Sequence, residues 1–154
     1  MSILPSGTVK HPLHTSTDAT LRAVESLIVS LVQVSERPSV AESLSATNQA
    51  AVYHLEAGGQ RVRARLALHA CESLGVGRED AVRIAAAVEL LHNASLVHDD
   101  LQDKDKLRRG RPTVYAAFGQ DVAICTGDLL LSAAYGALAE ISDATLLPSL
   151  LRCV

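Results

Sequence analysis

Aromatic residues are scarce in this sequence, which has no tryptophan, one phenylalanine and three tyrosines. Glycine and proline are also few, with nine and five among 154 residues. Strands favour aromatic and β-branched residues and turns favour glycine and proline, so this composition argues against an all-β fold. Hydrophobic residues make up 48% of the chain, enough to bury a core in one domain. We therefore expect an all-α protein, a bundle of closely packed helices.

The chain also lacks any excess of positive charge, since its formal net charge is −3. Without a basic field a polynucleotide partner is not expected. Its three cysteines, Cys71, Cys125 and Cys153, are odd in number and far apart. That spacing indicates neither a disulfide framework nor a CxxC zinc site.

No targeting or membrane signal stands out. The first residues lack a basic segment followed by an apolar one, and we find no stretch of about 18 uncharged apolar residues. We expect a cytoplasmic protein with no transmembrane segment.

Turn-forming residues divide the chain into segments. Residues 1–16 carry proline, glycine, serine and threonine without periodicity, and they are expected to form a flexible arm before a helical domain over 17–154. Thr17 or Asp18 can cap the first helix, and Pro38 fits the first turn of a second helix ending at Gly58-Gly59. Apolar periodicity predicts the further helices, at about 61–74, 79–103, 113–118, 120–141 and from 144 onward, with a polar loop over 104–112 and no strand alternation.

The sharpest chemical feature is the acidic sequence HDDLQD at the end of the most apolar helix. At about 100° per residue, Asp99 and Asp103 lie within roughly 40° of each other, with Asp100 to one side. Three converging carboxylates at a helix C-terminus repel each other and require a compensating cation. Oxygen ligands at this spacing suit Mg²⁺ shared with substrate phosphates. The alternative is a solvated acidic helix end.

A basic loop follows the acidic cluster and contains Arg108, Arg109 and Arg111. Guanidinium groups bind diphosphate oxygens in bidentate fashion, so carboxylate, metal, diphosphate and arginine would form a charge-balanced stack. The alternative is a solvated basic turn that pairs loosely with Asp103 and Asp105.

A second basic cluster, with Arg61, Arg63 and Arg65, opens the third predicted helix after Gly58 and Gly59. Glycines allow close approach to a ligand, and a helix N-terminus favours anions, so this segment could hold a second diphosphate. The alternative is a Gly-Gly helix stop followed by an exposed cationic turn.

His92 and Ser95 share a helical face with the acidic cluster. His92 lies seven residues before Asp99, a net rotation of about 20°, and Ser95 lies between them. This alignment favours a diphosphate contact for His92, and the alternative is a histidine satisfied within the core.

These segments together resemble a known family. The sequences GGQRVRARL, ELLHNASLVHDDLQDKDKLRRGRPTVYAAFG and TGDLLL, in this order, are similar to the trans-isoprenyl diphosphate synthases, or polyprenyl synthetases. The resemblance covers about residues 56–139. It implies a partial isoprenoid-synthase fold, namely the N-terminal half, and a Mg²⁺-dependent prenyltransferase that joins an allylic diphosphate to isopentenyl diphosphate through a carbocation.

The resemblance also implies residue roles. Asp99 and Asp103, supported by Asp100, would hold Mg²⁺ on the allylic diphosphate, which Arg108 would also bind. Isopentenyl diphosphate would be bound by the residues Gly59, Gln60, Arg63, His92 and Arg109. Bulky aromatics one turn before the aspartates stop chain growth early in this family, and this chain has Ala94 and Ser95 there, which implies a product longer than fifteen carbons.

Two departures from the family pattern bear on activity. Gln60 and Ala64 stand where the family usually has Lys and often has Pro, and the missing Lys removes one cationic contact to isopentenyl diphosphate. The family's second aspartate-rich motif is absent, since only Glu140 and Asp143 follow Asp128 as acids. We therefore expect activity only in a hetero-oligomer with a second chain that supplies this motif, with the present chain being either one subunit of a natural split enzyme or a fragment of a longer product.

Two alternatives remain open at this point. The chain could be a non-catalytic subunit that regulates a complete synthase, although intact aspartate and arginine motifs favour a catalytic role. It could also be a helical interaction protein whose charges only decorate its surface. Mg²⁺-dependent binding of a diphosphate distinguishes the last alternative from the other two.

Overall fold

The computed structural model describes residues 13–33 and 45–152. The described elements are the helices α1 (Leu13–Gln33), α2 (Ala46–Glu56), α3 (Val62–Ser73), α4 (Arg78–Gln102), α5 (Val114–Phe118), α6 (Gln120–Ala139) and α7 (Leu147–Leu151), and the strands β1 (Leu107–Arg108) and β2 (Arg111–Pro112). The expected all-helical bundle is confirmed.

The long helices α4 and α6 form the centre of the bundle, and they pack closely because small residues line their contact. Leu90 and Leu130 are fully buried, and so are most alanines of both helices. At Gly127 in α6 the ring of His98 from α4 occupies the space that a Cβ atom would need. Helix α1 covers this centre with the apolar face that its periodicity predicts, formed by Leu21, Val24, Ile28 and Val32.

Local signals explain most helix ends. The Ser45 hydroxyl accepts the Asn48 N–H at the start of α2, and the Thr113 hydroxyl accepts the Ala116 N–H at the start of α5. After α2, Gly58 takes a positive φ of 69°, which ends the helix as predicted. Helix α1 begins at Leu13, earlier than the predicted cap at Thr17 or Asp18. The predicted start of a helix at Pro38 and residues 1–12 of the predicted arm lie outside the described residues.

A short antiparallel hairpin replaces the loop predicted for residues 104–112. Leu107 pairs with Pro112 and Arg108 pairs with Arg111. The two residues between the strands, Arg109 and Gly110, have φ values of 52° and 77°. Positive φ at both central positions is what a tight two-residue hairpin turn requires. Strands of two residues are too short to produce a sequence alternation, so the pattern could not show them.

Helix α6 is long and apolar enough, by length and composition alone, to cross a membrane. Central helices of globular bundles meet the same criteria, and α6 packs one face against α4.

At the end of α4 remote from the aspartates, the Asp80 carboxylate accepts the N–H groups of Ser142 and Asp143 just after α6. These bonds to the charged form hold the pKa of Asp80 below its usual value.

Candidate active site

The acidic cluster forms the last turn of α4, with Asp103 as the C-cap residue. The side chains of Asp99 and Asp103 are exposed, and neither makes a hydrogen bond or ion pair with a described residue. Asp100 is only 2% exposed and lies to one side of them, turned into the protein. Two carboxylates on consecutive turns, and not three, are therefore exposed at this end of α4.

Asp100 instead pairs with Arg108 of the hairpin. The Arg108 Nε lies 3.0 and 2.9 Å from the two carboxylate oxygens, and its Nη2 lies 2.7 Å from Oδ1. This fork-to-carboxylate geometry is the strong form of an ion pair. It raises the pKa of Arg108, chiefly through the hydrogen bond to Asp100. The Arg108–Asp100 pair ties the hairpin to α4.

Tyr53 of helix α2 packs against this hairpin. The Tyr53 hydroxyl donates to the Pro112 carbonyl at 2.9 Å, and the Arg111 guanidinium lies 4.4 Å from the centre of the Tyr53 ring. The neighbouring His54 is buried near Asp100 and Arg108. Burial lowers its pKa from 6.5 to about 4, the Asp100 charge opposes the shift, and the Arg108 charge adds to it. His54 is therefore a neutral imidazole beneath the ion pair at neutral pH.

The basic segment 58–65 is anchored by its first arginine. Arg61 adopts a left-handed backbone conformation, with φ 49° and ψ 36°. Its guanidinium donates to Glu25 at 3.3 Å, to the Leu55 carbonyl at 3.2 Å and to Glu89 at 3.4 Å. The Arg61 side chain is only 11% exposed, so it faces the protein interior and not the solvent.

The other two arginines of this segment behave differently. Arg65 lies 3.4 Å from Asp18 of α1 in an exposed ion pair. Arg63 is exposed and makes no hydrogen bond or ion pair within the described part of the chain. Of the three arginines at the start of α3, only Arg63 thus presents an unpaired guanidinium to a ligand.

The two basic segments meet beside His92. A Cβ atom at Gly59 would lie 2.8 Å from Nη1 of Arg109, so the Arg109 guanidinium packs directly on the glycine backbone. The pKa of His92 is lowered by burial first and then by the charge of Arg63, with a smaller contribution from Arg109. Residues 50 positions apart in the sequence thus form one cationic cluster around a neutral imidazole.

Three expectations from the sequence differ from the structure. Asp100 does not converge with the other two aspartates, because it is buried against Arg108. Two of the Arg108 nitrogens bind Asp100, which leaves Nη1 for a diphosphate. Ala94 is fully buried in the core, so of the two positions predicted to line the path of a growing chain only Ser95 is exposed.

The start of α3 also differs from a free anion site. The Ala64 N–H in the first turn already donates to the Glu89 carboxylate at 3.3 Å. Sequence analysis missed Glu89, although a signal was present: it is an acid in an apolar run, three residues before His92 on the same side of α4. It missed His54 and Tyr53 because nothing in α2 itself indicates the hairpin above it.

A magnesium ion fits this donor set only if substrate completes its coordination. Among residues 13–33 and 45–152, no three His, Cys, Asp or Glu side chains form a group arranged to hold a metal. Mg²⁺ is often held by one or two carboxylates, with water and substrate phosphates in the remaining positions. Asp99 and Asp103 meet that requirement.

Several known proteins are similar to this chain. It is 40% identical over 119 residues to a short chain isoprenyl diphosphate synthase of Methanothermobacter thermautotrophicus, a match that covers 77% of this chain and 37% of that protein. It is 48% identical over 98 residues to the heterodimeric geranylgeranyl pyrophosphate synthase large subunit 1, chloroplastic, of Arabidopsis thaliana, covering 62% of this chain and 26% of that protein.

The fold has a close counterpart among solved structures. Geranylgeranyl pyrophosphate synthetase from Pyrococcus horikoshii superposes with a TM-score of 0.77 at 34% identity, over 91% of this chain and 41% of that chain. The chain therefore spans less than half the length of each of these three proteins. Its helices form part of the isoprenoid-synthase fold, as the sequence implied.

The family model of the polyprenyl synthetases matches residues 45–153. This match covers α2 to α7, and so it includes the acidic end of α4, the hairpin and the cationic cluster around His92. The chain belongs to the polyprenyl synthetase family.

Proposed function

We propose that this chain is the diphosphate-binding half of a Mg²⁺-dependent trans-prenyltransferase, which condenses an allylic diphosphate with isopentenyl diphosphate. One observation carries the proposal. The two basic segments contact each other at Gly59 and Arg109, and their charges meet at His92, on the exposed face of α4 that ends in Asp99 and Asp103. The two proposed anion sites and the proposed two-carboxylate metal site would thus lie on one face of α4.

The allylic diphosphate would lie at the acidic end of α4. Asp99 and Asp103 would hold Mg²⁺, which when bound supplies positive charge to the leaving diphosphate. Arg108 would donate from its remaining nitrogen, Nη1, while Asp100 fixes the plane of its guanidinium. In this arrangement Asp100 positions Arg108 and does not itself bind the metal.

Isopentenyl diphosphate would lie against the cationic cluster. Arg63 and Arg109 would each donate to its diphosphate, and the lowered pKa of His92 makes it a neutral hydrogen-bond partner. Gly59 lets the Arg109 guanidinium approach the backbone of the neighbouring segment. Gln60 is exposed beside them and would contribute an amide where the family usually has an ammonium.

These positions fit the bond changes of the reaction. The allylic C–O bond breaks and its electron pair leaves on the diphosphate, which the arginine donors stabilise. The isopentenyl double bond attacks the allylic cation and forms the new C–C bond. Loss of a proton to the released diphosphate restores a double bond and completes the condensation.

The second aspartate-rich motif would come from another chain. One finding supports this partner: a relative that is 48% identical over 98 residues is named as the large subunit of a heterodimeric synthase. The partner's aspartates would complete the metal site. Its helices would exclude water from the space around the allylic cation.

The test has a binding arm and an activity arm. By titration calorimetry, the chain alone should bind inorganic pyrophosphate at two sites, one of them only with Mg²⁺ present, and Arg63→Ala should weaken binding at the Mg²⁺-independent site at least about tenfold, as expected for a lost charged hydrogen bond. Arg78→Ala, an equally exposed arginine at the other end of α4, should bind like the wild type.

For the activity arm, the chain is mixed with a chain that bears the second motif, and the products are separated by chromatography. Condensation should require both chains. Robust turnover by the isolated chain would refute the two-chain proposal, and pyrophosphate binding without turnover in any complex would indicate a regulatory subunit.

A further inference from the structure

Glu89 is a buried carboxylate one turn before His92 on α4, and the proposed chemistry does not use it. Its side chain is only 6% exposed. One carboxylate oxygen accepts the Ala64 N–H at 3.3 Å, and the other lies 3.4 Å from Nη1 of Arg61. Glu89 therefore joins α4 to the first turn of α3.

The residue that Glu89 contacts holds an uncommon conformation. Arg61 has φ 49°, in the left-handed region that non-glycine residues adopt only when their surroundings enforce it. Glu25, the Leu55 carbonyl and Glu89 together surround its guanidinium. These three partners occupy the guanidinium donors of Arg61. Arg61 therefore anchors the turn and is not free to bind a ligand.

The direction of this turn decides where its neighbours lie. Gly59, two residues before Arg61, contacts the Arg109 guanidinium. Arg63, two residues after it, carries its charge close enough to His92 to lower the histidine pKa. A change at Arg61 would move Gly59 and Arg63 together, and with them two of the cations around His92.

We propose that Glu89 is a positioning residue for the isopentenyl diphosphate subsite. Through Arg61 and the Ala64 N–H it fixes the segment from Gly59 to Arg63, so that Arg63 and Arg109 meet the same diphosphate beside His92. Glu89 itself touches no substrate. This inference rests on the proposed function and adds to it a residue outside the ligand set.

The experiment uses the assembled two-chain enzyme and measures KM for each substrate, kcat and thermal stability. Glu89→Ala and Glu89→Asp, which remove the reach to α3, should raise KM for isopentenyl diphosphate at least tenfold. KM for the allylic diphosphate and kcat should change less than threefold. Glu89→Gln keeps the length but only one acceptor oxygen, which can serve the Ala64 N–H or Arg61 and not both, so its KM for isopentenyl diphosphate should lie between those of the wild type and Glu89→Ala.

Asp80→Asn is the matched control, because Asp80 also lies on α4, is buried and accepts two backbone N–H groups, but at the far end. It should lower thermal stability and leave both KM values unchanged. If Glu89→Ala does not fold, Glu89→Asp, which keeps the charge, provides the same measurement.

Two outcomes would show that Glu89 is merely structural. One is an equal increase in both KM values. The other is lower thermal stability with both KM values unchanged, as expected for Asp80→Asn. The proposed function fails in a different way. In that case the wild-type complex would condense nothing and the wild-type chain would bind no pyrophosphate with Mg²⁺, and this inference would fall with it.

Discussion

The two basic segments are built alike but held with different strength. Each has an arginine that turns inward to a buried carboxylate of α4, Arg61 to Glu89 and Arg108 to Asp100. Within two residues of each anchor an outward arginine, Arg63 or Arg109, remains for a ligand. The Arg108 pair is bidentate at 2.7–3.0 Å, whereas the Arg61 contact is a single one at 3.4 Å.

This difference indicates which segment can adapt. The hairpin is held by the bidentate ion pair and by the Tyr53 hydroxyl, so the side proposed for the allylic diphosphate is the more firmly held. The start of α3 depends on three single contacts of Arg61, each at 3.2–3.4 Å, and on a backbone hydrogen bond to Glu89. Substitution of the Arg61–Glu89 anchor should therefore change ligand affinity with little loss of stability, whereas substitution of the Arg108–Asp100 anchor should cause the greater loss of stability.

The largest expected effect separates the outward aspartates of α4 from the inward one. In the assembled enzyme, Asp99→Asn and Asp103→Asn should each lower kcat by at least about a hundredfold, because charge stabilisation of the leaving group is lost. Neither should alter stability, since both side chains are exposed. Asp100→Asn should instead lower the free energy of unfolding by about 2 kcal/mol, because it weakens a buried ion pair.

Urea unfolding and steady-state kinetics on the same three variants measure both quantities. A stable Asp100→Asn enzyme whose kcat has fallen as far as that of the other two would make Asp100 a third metal carboxylate. The contrast between inward and outward groups would then be broken.

Much of this arrangement could be predicted from the sequence. Apolar periodicity predicted the bundle and most helix ends, and the spacing of His92 and Asp99 placed both on one face. The direction of individual side chains could not be predicted in this way. Arg61 and Arg63 look equivalent in a basic cluster, and the difference comes from Glu89 and Glu25, which are remote in sequence and adjacent only after packing.

A similar limit applies to the acidic cluster. Helical geometry correctly placed Asp100 to one side of Asp99 and Asp103, but the hairpin that gives Asp100 its partner has strands of two residues. Such strands leave no pattern in the sequence. Burial of Ala94 depends likewise on which face of α4 meets α6, a choice that small residues on several faces leave undetermined.

An effect of intermediate size is expected in the pH dependence of the unfolding free energy. It tests the burial of His54, next to the Arg108–Asp100 pair. His54 has a pKa lowered to about 4 in the folded state, so the unfolded state takes up the proton first as the pH falls below 6.5. Stability should therefore fall with decreasing pH, by about 1 kcal/mol between pH 7.5 and 5.5. Urea unfolding at the two pH values measures this loss.

His54→Gln should remove that part of the loss, and His69→Gln, at an exposed position on α3, should leave it unchanged. If the histidine at position 54 could be replaced with no change in the pH dependence, burial beneath the Arg108–Asp100 pair would not keep it neutral. The hairpin side would then be less tightly packed than its ion pair indicates.

The smallest effect on the fold is expected at Ser95, where only the product should change. Ser95 is exposed on the α4 face that carries His92 and Asp99, and its hydroxyl donates to the His92 carbonyl at 2.8 Å, so a larger side chain there meets no core residue. Ser95→Phe should leave the unfolding free energy within about 0.5 kcal/mol, as is usual for surface positions. In the assembled enzyme the ring would stand one turn before the aspartates, across the path of a chain that grows away from the metal, and chromatography should show shorter products.

Ser95→Ala, which adds no volume, should give wild-type products, whereas Ala94→Phe should destabilise the fold, because it overpacks a fully buried position. Unchanged products from a stable Ser95→Phe enzyme would mean that the chain leaves the site along another face, and the small residues before the aspartates would then carry no information on product length.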